Sequence, residues 1–219
     1  MKYKVVEIFD SIDGEGKRTG QPVSFVRLAG CNLRCSYCDT LYALFNEEKP
    51  CEYKEMTAEE IFEKVNQNYR RITLTGGEPL IAEGVKDLIK LFSDRGFEVN
   101  IETNGACDTE KFDVAENVFF TIDYKLLSSG MSDKMLWKNY LSLKPRDVIK
   151  FVVGSDEDAA QMIDIMGKLK KYYEEMPNVF VGAVYGKYDI KKLVDLIMKN
   201  PELSDAKVQI QLHKYIGVL

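Results

Sequence analysis

The densest chemistry in this chain belongs to Cys31, Cys35 and Cys38, three thiols within eight positions at the spacing C-x3-C-x2-C. They follow directly on an apolar, strand-like run that ends at Leu28. Thiols so close converge on one small object. A cuboidal iron-sulfur cluster normally takes four cysteine thiolates, and a structural zinc ion is also closed by four ligands. Three protein ligands leave one position open, where a further ligand can bind. Cys51 and Cys107 stand alone and read as small, partly buried apolar residues.

These thiols need a scaffold that collects other reactive groups beside them. Runs 4–9 and 23–28 read as strands, separated by the polar, glycine-spaced turn Ser11-Ile12-Asp13-Gly14-Glu15-Gly16. Thr57-Ala58-Glu59-Glu60 has the form of a capping box that opens an amphipathic helix through Ile61, Phe62 and Val65. Strand-like runs at 71–75, 97–103, 118–123, 148–153, 179–184 and 207–212 then alternate with helical patterns at 80–94, 132–140, 155–175 and 190–198. This alternation predicts an α/β fold of parallel strands joined by helical crossovers. About six such units, fewer than the eight of a complete barrel, make it a partial (β/α)6 barrel. Folds of this kind bind ligands at the C-terminal ends of their strands. Those ends carry the cysteine loop, Thr75 with Gly76-Gly77-Glu78-Pro79, Glu102-Thr103-Asn104-Gly105, and Asp123 with Lys125. One common site is expected.

At 219 residues, 45% hydrophobic and 30% charged, the chain is read as a single domain over 1–219, with the cysteine loop at 30–50. Thirty Lys and Arg against 35 Asp and Glu leave a formal charge of -5, without the broad basic face of a nucleic-acid binder. A small-molecule substrate fits better. Glu7 precedes any long apolar segment, so neither a signal peptide nor a membrane span is expected and the location is read as cytoplasmic. Thiols stay reduced there, which argues against a disulfide framework.

C-x3-C-x2-C followed by Gly76-Gly77-Glu78-Pro79 resembles the radical S-adenosylmethionine (SAM) superfamily. The resemblance implies that Cys31, Cys35 and Cys38 hold a [4Fe-4S] cluster whose fourth iron is chelated by SAM. It also implies that the turn of Gly76, Gly77 and Glu78 receives the SAM amino group. Glycines admit a ligand close to the backbone, and Glu78 can accept a charge-assisted hydrogen bond from a cationic amine. A narrower match runs through Glu7-Ile8-Phe9, Gly14-Glu15-Gly16, Gly20-Gln21-Pro22, Phe25 to Gly30, Cys38-Asp39-Thr40 and the closing Gln211-Leu212-His213-Lys214. It resembles the 7-carboxy-7-deazaguanine synthases, radical SAM enzymes that contract the ring of a reduced pterin on the route to queuosine.

Carried over residue by residue, the resemblance implies SAM contacts for Tyr37, Cys38, Asp39, Asn104, Asp123, Tyr124 and Lys125. Thr40 is expected to offer its hydroxyl to a Mg2+ ion that orients the substrate carboxylate. Ile12, Asp13, Gly14, Glu15 and Thr75 fall on the pterin side, and Arg27 is expected to pair with the substrate carboxylate. Asp13 departs from the family's frequent Gln, so acceptor-only chemistry replaces a group that both donates and accepts. The terminal carboxylate of Leu219 is expected to close the pocket. Glu102 reads as either structural or part of the site, and His213 as a hydrogen-bonded structural residue rather than a general base.

The implied activity is that of a carbon-nitrogen lyase turning 6-carboxy-5,6,7,8-tetrahydropterin into 7-carboxy-7-deazaguanine with loss of ammonia. A 5'-deoxyadenosyl radical from SAM starts the reaction. No side chain is assigned as catalytic, because the hard chemistry belongs to the cofactors. The implied partners are the pterin and an electron donor such as flavodoxin or ferredoxin, and a homodimer is compatible with the sequence. Two other readings stand beside this one. A glycyl-radical enzyme activase shares the cysteine motif, although the Gly14-Glu15-Gly16 loop and Cys38-Asp39-Thr40 argue against it. The other is a non-catalytic iron-sulfur or zinc scaffold, its zinc form closed by Cys51 or His213.

Overall fold

A computed structural model describes residues 1–45 and 50–218. Its strands are β1 (Tyr3–Ile12), β2 (Pro22–Leu28), β3 (Lys54–Met56), β4 (Arg71–Gly76), β5 (Glu98–Thr103), β6 (Val118–Tyr124), β7 (Val148–Val153), β8 (Asn178–Ala183) and β9 (Ala206–Val208). Its helices are α1 (Ala58–Lys64), α2 (Val85–Asp94), α3 (Trp137–Leu141), α4 (Asp156–Tyr172), α5 (Ile190–Lys199) and α6 (Leu212–Ile216). All nine strands form one sheet in the order β3-β1-β2-β4-β5-β6-β7-β8-β9. β1 runs antiparallel to both β2 and β3. From β2 to β9 every pairing is parallel.

The expected α/β fold of six parallel steps is present, with one departure. Residues 104–117, between β5 and β6, hold only a short 3-10 turn at Thr109–Lys111 and no α-helix. The other five steps cross through α1, α2, α3, α4 and α5. α1 opens on the expected capping box: Thr57 Oγ1 accepts from the Glu60 N–H, and Glu60 Oε2 accepts from the Thr57 N–H.

Three expectations need correction. The run expected as a helix at 80–94 starts only at Val85, after a 3-10 turn at Pro79–Ile81 and with Gly84 in the left-handed region (φ 69°). The pattern at 132–140 yields a 3-10 turn and the short α3. The run 207–212 alternates like a strand, but β9 ends at Val208 and Leu212 already opens α6. β8 pairs with β9 only from Val179 to Val181, which leaves the later residues no partner strand.

The period-two alternation of the strands sorts the sheet into two chemistries. Val26, Leu28, Ile72, Leu74, Val99, Ile101, Phe120, Ile122, Ile149 and Phe151 are buried in one hydrophobic core with the inner faces of the helices. The alternate positions are polar and line the concave side: Arg27, Thr75, Glu102, Thr121, Asp123 and Lys150. A strand face that buries charge calls for a ligand or paired charges to satisfy it. No helix among the described residues is long and apolar enough to cross a membrane.

Candidate active site

The cysteine loop lies across the C-terminal rim of the sheet. Gly30 starts it in the left-handed region (φ 96°) and donates its N–H to the Ala43 carbonyl at 2.7 Å. Arg34 laces the loop together by donating to the carbonyls of Cys31, Leu33 and Phe45. Ser36 anchors its far side beyond β6, donating its N–H to the Ser129 carbonyl at 3.0 Å and its hydroxyl to the Ser128 carbonyl at 2.6 Å. The loop therefore spans from β2 to the turn after β6. All three of its thiols are free and face one cavity of about 820 Å³, toward the upper end of the range for ligand pockets.

The glycine turn holds the start of this loop. The Gly77 N–H donates to the Leu28 carbonyl at 3.2 Å and the Glu78 N–H to the Gly30 carbonyl at 2.8 Å. A Cβ on Gly76 would collide with the Leu28 carbonyl, and one on Gly77 with the Gly30 carbonyl and, at 2.7 Å, with Cys31 Cβ. Glycine is thus required here by the approach of the cysteine loop, and both residues also line the cavity.

Glu78 is placed differently from its expected contact with the SAM amine. Its side chain is buried, with the residue 1% exposed. Oε1 accepts from the Leu80 N–H at 3.0 Å and from Thr103 Oγ1 at 2.9 Å, while Oε2 accepts from the Asn104 N–H at 2.6 Å. Burial pushes its carboxyl up to about 7, against the pull of these donors. It ties β4 to the end of β5 and does not line the cavity. Tyr124 also stands apart, because alternation turns it outward between Asp123 and Lys125. Its ring packs against Tyr140 and Phe151, with centroids 4.9 and 5.7 Å away. Leu219 lies outside the described residues.

The remaining expected residues come together. Ile12, Asp13, Gly14, Glu15 and Arg27 line the cavity from β1, the following turn and β2; Thr75, Asn104, Asp123 and Lys125 line it from later strand ends. Tyr37, Asp39 and Thr40 complete it from the cysteine loop, where the Thr40 hydroxyl donates to Asp39 Oδ1 at 2.9 Å. Arg27 donates Nε to Glu7 Oε1 at 2.6 Å, and Tyr42 donates to the same oxygen at 2.8 Å.

Asp13 faces the floor more than the mouth. Its carboxylate takes the Arg18 Nε–H at 2.6 Å and the Thr73 hydroxyl at 3.3 Å. Arg18 also donates to the carbonyls of Ile72 and Glu98, at the beginnings of β4 and β5.

Lys150, which the sequence reading passed over, joins the two halves of the cavity. It sits mid-strand in β7, ion-paired with Glu15, and its Nζ is 4.0 Å from Asp123 Oδ1. Asp123 Oδ2 in turn accepts from Lys125 Nζ at 2.6 Å. Burial disfavours both ammonium groups, yet the carboxylates around them hold each above its ordinary value. Burial raises Asp123, and Lys125 with Lys150 more than offsets it, leaving the carboxyl below its usual range. A lone Lys inside the apolar run Val148–Val153 was the available signal. Gln209 is a further residue that the sequence does not single out, whereas His213 reads there as structural. Gln209 accepts the Gly16 N–H at 2.9 Å, and the His213 ring lies where a Cβ on Gly14 would stand.

The donor set fits a cluster and SAM. Among the described residues no three Cys, His, Asp or Glu side chains gather as around a single ion. Thiols spread around an opening suit a cluster, in which each thiolate meets a different iron. Two residues that line the same cavity each carry a buried polar atom without a hydrogen-bond partner, the Tyr37 hydroxyl and Asp123 Oδ1. Burial pushes the Tyr37 phenol up to about 12, so it remains a donor. A polar ligand lying between the cysteine loop and β6 would satisfy both atoms.

The Radical SAM superfamily model matches residues 25–126, from β2 to just past β6. The chain is 42% identical over 219 residues to the 7-carboxy-7-deazaguanine synthase of Clostridium acetobutylicum, covering 99% of this chain and 96% of that protein. It is 35% identical to the 7-carboxy-7-deazaguanine synthase of Methanospirillum hungatei, covering 98% of this chain and 86% of that one. The fold is similar to the crystal structure of QueE from Escherichia coli, with a TM-score of 0.75 at 22% identity, over 97% of this chain and 95% of that chain. With identity this high across nearly its whole length, the chain belongs to the 7-carboxy-7-deazaguanine synthases of the radical SAM superfamily.

Proposed function

We propose that the cavity holds a [4Fe-4S] cluster, SAM and a reduced 6-carboxypterin together, and that the chain converts 6-carboxy-5,6,7,8-tetrahydropterin into 7-carboxy-7-deazaguanine with loss of ammonia. One observation carries the reading: three free thiols, Tyr37 and a chain of paired charges line the same cavity. Cys31, Cys35 and Cys38 would hold the cluster, which together with SAM would supply the radical chemistry that starts on the pterin. The protein's own part is to bind, orient and exclude water.

Arg27 offers its cation for the substrate carboxylate. Its Nη atoms have no acceptor among the described residues, and Glu7 on Nε steadies the guanidinium plane. Glu15 presents a carboxylate to the donor edge of the pterin and is held in place by Lys150 and Gln209. Thr40, at the mouth beside Asp39, is the residue we assign to Mg2+, an ion that usually takes few protein ligands and keeps several waters. A small electron-transfer protein such as flavodoxin or ferredoxin would supply the electron. In this reading the chain is one cytoplasmic domain, and a homodimer is compatible with it.

The C-terminal segment favours a small substrate over the protein substrate of an activase. The Leu212 N–H donates to the Gly14 carbonyl at 3.0 Å, and His213 covers Gly14, so the segment narrows the mouth. Anaerobically reconstituted protein, incubated with reductant, SAM and the carboxypterin, is expected to release ammonia and the deazaguanine product. A loaded enzyme that cleaves SAM but leaves the pterin intact would refute this assignment.

A further inference from the structure

Asn104 follows the last residue of β5, and its amide is fixed from three sides. Its backbone N–H donates to Glu78 Oε2, its Oδ1 accepts from the Ala106 N–H at 2.9 Å, and its Nδ2 donates to Asn32 Oδ1 at 2.8 Å. Turning the amide over would set oxygen against oxygen at Asn32 and N–H against N–H at Ala106. The orientation is therefore determined, and the same Nδ2 reaches Cys31 Sγ at 3.6 Å. The Leu33 N–H adds a second donor to that sulfur at 3.4 Å.

The other two thiols lack this treatment. Among the described residues, no hydrogen bond reaches the sulfur of Cys35 or Cys38, and the favourable neighbour of Cys35 is the Lys125 ammonium. The three cluster ligands are thus electronically unequal. Donors to a ligand sulfur stabilise the reduced, more negative state, and such outer contacts are among the means by which a protein sets a cluster's potential.

We propose that Asn104, held by Glu78 and Asn32, tunes the reduction potential of the cluster through Cys31. This rests on the radical SAM reading of the site, and it gives the buried Glu78 a purpose other than contact with SAM. Glu78 fixes the backbone of Asn104, Ala106 and Asn32 orient its amide, and the amide acts on the metal centre. Asn104 lines the cavity as well, so a role limited to SAM binding is the competing account. The two differ in the absence of SAM.

The test is an EPR-monitored redox titration of SAM-free, anaerobically reconstituted protein, with iron and sulfide counted per chain. Wild type is compared with Asn104→Ala and with Asn32→Ala, whose side chain is exposed on the loop. Asn104→Ala is expected to make one-electron reduction about tenfold less favourable, a midpoint about 59 mV more negative. Asn32→Ala, which frees the amide but also removes the Oδ1 atom 3.9 Å from Cys31 Sγ, is expected to shift the midpoint by less than Asn104→Ala. An unchanged midpoint in fully loaded Asn104→Ala overturns the proposal. If Asn104→Ala does not retain iron, the fully loaded Asn104→Leu, close in size but without the Nδ2 donor, decides, and an unchanged midpoint there overturns it equally. Wild type that loads no [4Fe-4S] cluster would instead remove the reading on which the proposal stands, and the iron count distinguishes that case.

Discussion

Gly77 sits where the backbone of the cysteine loop passes, and a methyl group there would meet the Gly30 carbonyl and Cys31 Cβ at once. Neither neighbour is a flexible side-chain end, so the loop itself has to move. Gly77→Ala should cost about 1–3 kcal/mol of stability, as overpacking usually does, and should also lose most cluster loading; denaturant melts and iron content check the two effects. At Asp13 burial outweighs the attraction of Arg18 and lifts the carboxyl to about 6. The folded protein thus keeps this proton to a higher pH than the unfolded chain, whose carboxyl titrates near 3.8. The group's contribution is complete below that pH and is lost as pH rises to about 6. Urea unfolding of wild type and Asp13→Asn should show the wild-type stability falling relative to the variant over this window, by on the order of 2 kcal/mol. A difference that stays level with pH would contradict the assignment. The buried partner Arg18 could not be inferred from sequence because it pairs only through the folded turn.

Seven of the nine strands were legible as short runs rich in β-branched or aromatic residues, and the parallel order followed from their alternation with helices; β3, three residues reading Lys-Glu-Met, carries no such signal. Whether a strand-end residue faces the cavity follows from alternation counted along the strand: Asp123 and Lys125 face in and Tyr124 faces out. The run after β9 misled because alternation without a neighbouring strand to pair with does not make a strand. The segment becomes a lid element instead, with α6 docked through Leu212 and His213 on the turn after β1. Gly14→Ala should displace the His213 ring and lift this segment. We expect a rise in the apparent KM for the pterin of about tenfold to a hundredfold, with little loss of thermal stability, since no residue of α6 is buried. Steady-state kinetics and a melting curve on the same preparation separate the two effects.

At the scale of the molecule, one hydrophobic core runs from Tyr3 and Val5 of β1 through Leu203, beyond α5, without a division between the halves. The cluster-free protein should therefore unfold in a single calorimetric transition, its van't Hoff and calorimetric enthalpies agreeing. SAM held between the cysteine loop and the ends of β4, β5 and β6 would bind the folded state alone. At a hundredfold excess over its Kd it should add about 2.7 kcal/mol to the cluster-loaded protein, read as a rise in Tm. At the opposite end of the sheet, Arg18 is 3% exposed, its guanidinium on the starts of β4 and β5 and its charge 5.3 Å from the centre of the Phe119 ring. Paired with Asp13, this cation packs against the floor of the cavity. Among the described residues the mouth beside the cysteine loop is then the side on which pterin would enter and deazaguanine leave. Product that lingers blocks the next substrate, so the deazaguanine should inhibit competitively against the pterin.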